Sequence, residues 1–348
     1  MGTKLTKKLQ NNPVFFVKEV LGNTLWEKQE EIINALLTNR VVAVRSCHGS
    51  GKSFLAAQAV LWFLYSHPNS IVITTAPTYR QVTEILWREI RQSFTKSRYP
   101  LGGEIKKTSI DISERWFALG LSTDEPEKFQ GYHANRLLAV VDEASGVPEE
   151  IFEAINGILT GSNDRLLLIG NPTALSGTFY ESFKKPDVYK VSISYTDTPN
   201  IKEGKVIIPG LVTQDWVDQM KIEWGENNPV FQSRVLGNFP DQGTDTLIPL
   251  IDIEQAVNRE VEVKENEKVI IGVDVARYGT DKTVMVVKRG NKVLEIEKYN
   301  QEDIMQTSGR VNNMLLRYNN SIAKIDEVGV GAGVVDRLRE LKASVKGI

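Results

Sequence analysis

The apolar positions of this chain fall into two registers, and the change between them divides it. Across the first two-thirds, short uninterrupted apolar runs alternate with longer stretches of helical spacing. VVAV (Val41–Val44), IVITT (Ile71–Thr75), LLAVV (Leu137–Val141) and LLLIG (Leu166–Gly170) carry no polar alternation, the pattern of strands buried on both faces. Between them, Lys52 to about Tyr65 reads as a helix, and Val82, Ile85, Leu86, Ile90 and Phe94 keep helical spacing. Such an order predicts a parallel sheet covered by helices on both sides. Residues 200–260 break the rhythm. Pro209, Gly210, Pro229, Gly237, Pro240, Gly243 and Pro249 surround one predicted helix near Thr213–Trp224, which reads as a small subdomain and linker. From Lys268 a second register begins. VIIGVDV, KTVMVVK and VLEIEKY are consecutive strands joined by short turns. A helix near Met305–Tyr318 follows, then the strand SIAKIDE and a helix from about Val334 to Leu341. Three meandering strands, helix, strand, helix is the opening order of a ribonuclease-H-like domain.

Length and composition add bounds. At roughly 150 residues per domain, 348 residues suggest about two domains. The pattern divides them as 1–199, a linking segment 200–262, and 263–348. Hydrophobic content of 41% and charged content of 25% exclude a disordered or fibrous chain. A net charge of −2 argues against a globally basic nucleic-acid binder and leaves room for a local basic channel. A single cysteine excludes an internal disulfide framework and any multi-cysteine zinc site. No apolar run reaches the roughly 18 residues of a membrane helix, and the N-terminus carries no apolar signal core. The expectation is a soluble intracellular protein.

The chemistry begins at SCHGSGKS, Ser46–Ser53. It matches G-x-x-x-x-G-K-[ST] with Ser46 in place of the first glycine, after a predicted strand and before a predicted helix. Gly49, Ser50 and Gly51 would let backbone amides and the helix N-terminus face phosphates. Lys52 would neutralise β- and γ-phosphate charge, and Ser53 would ligate Mg²⁺. A plain glycine turn accounts for Gly49 and Gly51 but not for a cation at a helix N-terminus. Cys47 and His48 are expected to contribute backbone only. The strand LLAVV then ends in Asp142, suited to hold Mg²⁺ through water, and Glu143, suited to take a proton from the attacking water. An acidic helix cap is the plainer reading of this pair; downstream of a phosphate loop the catalytic one is stronger.

These residues together resemble the large subunit of tailed-phage DNA-packaging terminases, and the resemblance covers almost the whole chain. NPVFFVKEVLG with LWEKQ is similar to that family's adenine-recognition stretch, which implies Gln29 as an adenine contact. The variant phosphate loop with Arg45 and Ser46 is similar too. So are TTAPTYRQV (Thr74–Val82), KFQGYHA (Lys128–Ala134), YTDTPN and FQSRVLGNFP. LIGNPT, with Asn171, looks like the motif that senses the γ-phosphate and couples hydrolysis to DNA movement. The implied fold is α/β: a P-loop ATPase domain of the RecA/ASCE type, then a partial ribonuclease-H-like nuclease domain. The implied activity is ATP hydrolysis that drives double-stranded DNA into a procapsid, together with metal-dependent cutting of concatemeric DNA. The implied cofactors are ATP and Mg²⁺, with Mg²⁺ or Mn²⁺ at the nuclease. The implied partners are the portal protein, the small terminase subunit and further copies of this chain in a ring, with no membrane. The implied location is the host bacterial cytoplasm and, transiently, the portal vertex. A neighbour's arginine finger is also implied, with Arg80, Arg88, Arg91, Arg98 and Arg136 as candidates.

In the second domain, Asp274 closes the strand VIIGVD, Asp281 sits in the turn GTDKT, and Asp326 closes SIAKID. Two-metal nucleases need carboxylates that converge at strand ends, although a lone strand-end acid is more often a solvated turn. The resemblance, through VDVARYGTDKT and DEVGVGAGVVDRL, implies Asp274, Asp281 and Asp326 as metal ligands and Asp274 and Asp326 as catalytic. The family carries a further acid on a later helix, whereas this chain runs only 22 residues beyond Asp326. The expectation is therefore a truncated nuclease domain with weak or absent cleavage. Two other readings stay open: a helicase-like translocase fused to a nuclease, and a nucleotide-gated assembly protein with little turnover. The first should carry a second motor pattern, which is not visible after residue 268.

Overall fold

The computed structural model describes residues 2–123, 126–240, 248, 250–276, 282–300 and 303–348. The chain forms two compact units, Met1–Asn258 and Arg259–Ile348. The division falls close to the predicted change of register, and residues 200–258 belong to the first unit.

The first unit is built on strands β1 (Val41–Ser46), β2 (Ile71–Thr75), β3 (Glu104–Ile105), β4 (Ser109–Ser113), β5 (Trp116–Leu121), β6 (Leu137–Val141), β7 (Arg165–Gly170) and β8 (Tyr189–Ile193). They form one sheet in the order β3-β4-β5-β2-β6-β7-β1-β8. From β5 to β8 every pairing is parallel, and β3 and β4 add an antiparallel margin. The four apolar runs are the four adjacent central strands, β2, β6, β7 and β1. Residues of β2 and β6 are buried without exception, as strands covered on both faces require.

Alternation along β1 shows the two layers. Val42 and Val44 enter a core with Ile32, Ile33 and Leu36 of the helix Glu27–Thr38 and with the helix Lys52–Ser66. Ala43 enters the opposite core, with Ile151 and Phe152 of the helix Glu149–Ile158 and with Phe179. The helix Lys52–Ser66 is apolar nearly all round because the sheet and neighbouring helices enclose it. Its buried Gln58 accepts from Asn23 Nδ2 at 2.9 Å and donates to Ser93 Oγ at 2.9 Å, so the polar group is paired. The predicted helix around Val82–Phe94 occurs in three pieces, Tyr79–Gln81, a π-helical turn Val82–Leu86, and Trp87–Thr95.

Residues near 195–240 make a small core of their own. Val217 and Met220 of the helix Gln214–Trp224 pack with Val212, Phe231 and Val235. Thr213 caps that helix by accepting from the Trp216 amide.

The second unit contains β9 (Val269–Asp274), β10 (Lys282–Arg289), β11 (Lys292–Asn300), β12 (Ser321–Ile325) and β13 (Val345–Gly347). Their order is β11-β10-β9-β12-β13. The first three pair antiparallel, and β12 lies parallel to both β9 and β13. Helices Ile304–Arg317 and Val330–Glu340 bury Val311, Met314, Val334 and Leu338 against Val269, Ile271 and Val273. The order matches the ribonuclease-H-like expectation.

Candidate functional site

β1 runs straight into the phosphate-loop sequence, and the helix begins at Lys52. Gly49 and Gly51 both have positive φ, +64° and +76°, a region that side-chain-bearing residues rarely adopt. Space is a second reason for Gly51: a Cβ there would lie 2.7 Å from Gln29 Nε2. The loop thus presents backbone amides ahead of a 15-residue helix, the arrangement suited to an anion. Within it, the buried hydroxyls of Ser46 and Ser50 have no hydrogen-bond partner. An anion that brings several acceptors suits a cradle with such donors.

The strand β6 carries the acids to the same place. Ser53 Oγ donates to Asp142 Oδ2 at 2.9 Å. Hydroxyl and carboxylate together form the oxygen pair that a hard cation takes. Burial, reinforced by the neighbouring Glu143 charge, pushes the Asp142 carboxyl up to about 6. Glu143 lies 3.1 Å from Lys52 Nζ. Burial pushes its carboxyl up, but the charge and hydrogen bond of Lys52 outweigh that, and its pKa falls below the ordinary value. Burial likewise pulls the Lys52 ammonium down, while Glu143 and Asp142 raise it further, and its pKa ends above the ordinary value. Both groups are thus charged at neutral pH. Glu143 also holds a left-handed backbone, φ 48° and ψ 46°. For a residue with a side chain this costs of order 1 kcal/mol and is a mark of functional positions.

Asn171, just beyond β7, joins these parts. Its Oδ1 accepts from Lys52 Nζ at 3.2 Å and its Nδ2 donates to Ser46 O at 2.5 Å. Its backbone N–H reaches Glu143 Oε2 at 3.5 Å and its carbonyl accepts from Ser145 Oγ at 2.5 Å. One residue therefore touches the loop, its lysine and the acid-bearing turn. Gly170 before it is a glycine for space, since a Cβ would meet Ala144 N at 2.9 Å and Glu143 C at 3.3 Å.

Gln29 is buried rather than exposed, and both ends of its carboxamide are engaged. Oε1 accepts from the Trp26 amide at 3.3 Å and Nε2 donates to Gly51 O at 3.1 Å. It stands against the phosphate loop, the right place for a nucleotide contact. Arg45 departs from expectation. Its side chain lies on the opposite face of the sheet from Gln29, where Nη1 donates to Gly237 O at 3.0 Å and Asn238 Oδ1 at 2.9 Å. The cause is alternation: Arg45 shares the Ala43 side of β1, opposite the face that Val42 and Val44 share with the helix carrying Gln29. One residue that the sequence reading left out, Ser145, also serves the site. Ser145 ties the acidic turn to Asn171. The His48 imidazole is pulled down to about 4 by burial and then by Lys52, with Glu143 opposing, so it is neutral beside the charged pair. A hydroxyl two residues after the catalytic-type acid was the available signal for Ser145. Of the candidate arginines, Arg91 donates to Thr83 O and Lys107 O, and Arg98 to Glu19, while Arg80 and Arg88 are exposed.

In the second unit, Ile325 pairs with Val273 in the parallel register. Asp326 and Asp274, each the next residue, therefore stand side by side at the same ends of neighbouring strands, and both are exposed. Asp281 lies outside the described residues. Among the described residues, no group of three or more histidines, cysteines or acids gathers as a metal cluster, and no helix is long and apolar enough to cross a membrane.

No protein-family model matches the sequence. It is 28% identical over 344 residues to a protein of Enterobacteria phage P7 described as "Probable terminase, large subunit", covering 90% of this chain and 68% of that one. The fold is similar to that of the large terminase of a thermophilic bacteriophage, with a TM-score of 0.53 at 11% identity over 93% of this chain and 82% of that one. The same terminase in complex with ADP gives a TM-score of 0.51 at 10% identity, over 92% and 81% of the two chains. The ATPase domain of the Thermus phage P74-26 large terminase gives 0.51 at 18% identity, over 64% of this chain and 97% of that domain. The chain is thus similar in sequence to one terminase large subunit along nine-tenths of its length, and similar in fold to two more large terminases.

Proposed function

We propose that this chain is the ATP-hydrolysing subunit of a motor that moves double-stranded DNA into a phage procapsid. The observation that carries the reading is the Lys52–Glu143 pair at 3.1 Å, set between a glycine loop and a Ser53–Asp142 contact and bridged by Asn171. Lys52, held charged, meets the β- and γ-phosphates. Phosphate competes with Glu143 for Lys52, and that exchange frees the Glu143 carboxylate. Glu143, ionised at neutral pH, accepts the proton of the attacking water as its oxygen adds to the γ-phosphorus and the bond to the β–γ bridging oxygen breaks, releasing ADP and phosphate. Asn171 holds Lys52 in line and passes the change at Glu143 to Ser46 and β7. Mg²⁺ held by Ser53 and Asp142 would neutralise charge on the β- and γ-oxygens. Gln29 supplies a spare amide hydrogen for the adenine edge.

Asp274 and Asp326 support a second, metal-dependent nuclease activity in the unit from Arg259, with Asp281 as the third acid. The partners we propose are DNA, the portal protein, the small terminase subunit and further copies of the chain, with Arg80 and Arg88 as exposed arginines able to reach a neighbour's site. The test is steady-state ATPase activity, alone and with double-stranded DNA and the matching empty procapsid. Stimulation that requires both is expected. Turnover indifferent to both would overturn the proposal, and little turnover under every condition would favour a nucleotide-gated assembly protein instead.

A further inference from the structure

Behind the phosphate loop, on the Arg45 face of β1, lies a cavity of about 910 Å³. It belongs to the opposite side of the sheet from Gln29, so it is not the adenine side of the loop. Arg45 forms part of its wall and Lys190, on the edge strand β8, another part. The acceptors that hold Arg45 are neutral, a carbonyl and a carboxamide. Burial alone accounts for the lowering of its pKa, with no counter-charge opposing it. No carboxylate lines the cavity among the described residues. A guanidinium partly withdrawn from water without an anion is unfavourable, and an anion beside it would offset that. The rings of Phe183 and Phe239 stand 5.3 Å apart at 73°, and lie 5.9 and 5.7 Å from the Arg45 guanidinium. Asn227 adds a carboxamide to the wall.

Two cations, with no acid beside them among the described residues, select an anion. Two aromatic walls select a flat ring next to it. The volume is that of a cavity for a small organic ligand. We propose that this cavity is a second nucleotide site, which takes a nucleoside phosphate with its phosphate on Arg45 and Lys190 and its base against Phe183 and Phe239. The nucleoside phosphate is either a free mononucleotide or a nucleotide of a DNA strand. The inference does not depend on hydrolysis at the phosphate loop.

The test is calorimetric titration of the full chain without ADP, using dAMP in one arm and a 5′-phosphorylated tetrathymidylate in the other. At least one probe should bind, and Lys190→Glu should weaken it about tenfold or more while ADP affinity is unchanged. Arg45→Met should weaken it further. Lys190 is exposed, so its variant keeps the test valid if Arg45→Met fails to fold. Binding of dAMP identifies a free nucleotide as the ligand, and binding of the oligonucleotide alone identifies a strand. Lys52→Ala, titrated with the same probes, should bind them as before while losing ADP, which separates this site from the loop. Failure of both probes to bind, or binding unchanged in Lys190→Glu, would overturn the proposal.

Discussion

Asn171→Ala removes two hydrogen bonds and leaves the backbone contacts of residue 171 in place. The side chain is only 5% exposed, and Ser46, whose carbonyl it serves, is fully buried. Leaving that carbonyl without its 2.5 Å partner costs about 1–3 kcal/mol. The bond from Lys52 at 3.2 Å is charge-assisted, of a kind that contributes about 1.5–3 kcal/mol. Lys52 retains Glu143 at 3.1 Å, so only part of that is lost. The sum is a destabilisation of about 2–4 kcal/mol. Asn171→Asp provides the control. It keeps an oxygen for Lys52 but turns a second oxygen toward Ser46 O, so it should be no more stable than the alanine variant despite its matching shape. Urea unfolding followed by circular dichroism measures both, with the m-value held as the check on a common unfolded state. ATP turnover should fall about 10²-fold, the scale of a catalytic group displaced by an ångström. A change in stability below about 0.5 kcal/mol, the range of ordinary surface substitutions, would refute the reading of Asn171 as the joint of the site.

Gly170→Ala should cost about 1–3 kcal/mol by overpacking and lower turnover more than ATP affinity, because the new Cβ meets the Glu143 backbone; equal kinetics in the two proteins would contradict the close approach. Cys47 is fully buried with its thiol pushed up to about 12, chiefly by burial, so a disulfide reagent at pH 8 should label it only as the chain unfolds. Labelling of the native chain at the rate of a free thiol would show that the loop opens. Burial lowers the His67 imidazole to about 4, below its unfolded value near 6.5, so the unfolded chain binds more protons between these values. The His67 contribution is therefore complete above pH 6.5 and is lost as pH falls toward 4, by up to about 3 kcal/mol. His67→Gln should remove that part of the pH slope, and an unchanged difference between the two proteins across this window would refute it.

The central strands could be read directly because a strand covered on both faces leaves only apolar residues. The margins of the sheet could not. In β8 only Val191 and Ile193 are buried, and in β4 only Ile110 is, so neither makes a continuous apolar run. The phosphate loop and the Asp142–Glu143 pair lay within single short segments, where spacing carries the geometry. Arg45 went astray because one residue of alternation decides which face of the sheet a side chain joins, and loop motifs do not encode that. The role of Asn171 lies in bonds to residues 119 and 125 positions away in sequence, which no local pattern holds. In the second unit, Asp274 and Asp326 meet through the parallel register of β9 and β12, a pairing that the order of strands suggested.

The proposed role of Glu143 as the base for ATP hydrolysis is tested most directly by single-turnover hydrolysis of ATP by Glu143→Gln. The substitution keeps size and hydrogen-bonding capacity but removes the proton acceptor. General-base assistance is worth about 10²–10⁴-fold. Hydrolysis slowed by about that factor, with ATP bound as tightly as by the unaltered chain, is the expected result. Hydrolysis at the unaltered rate would contradict the account.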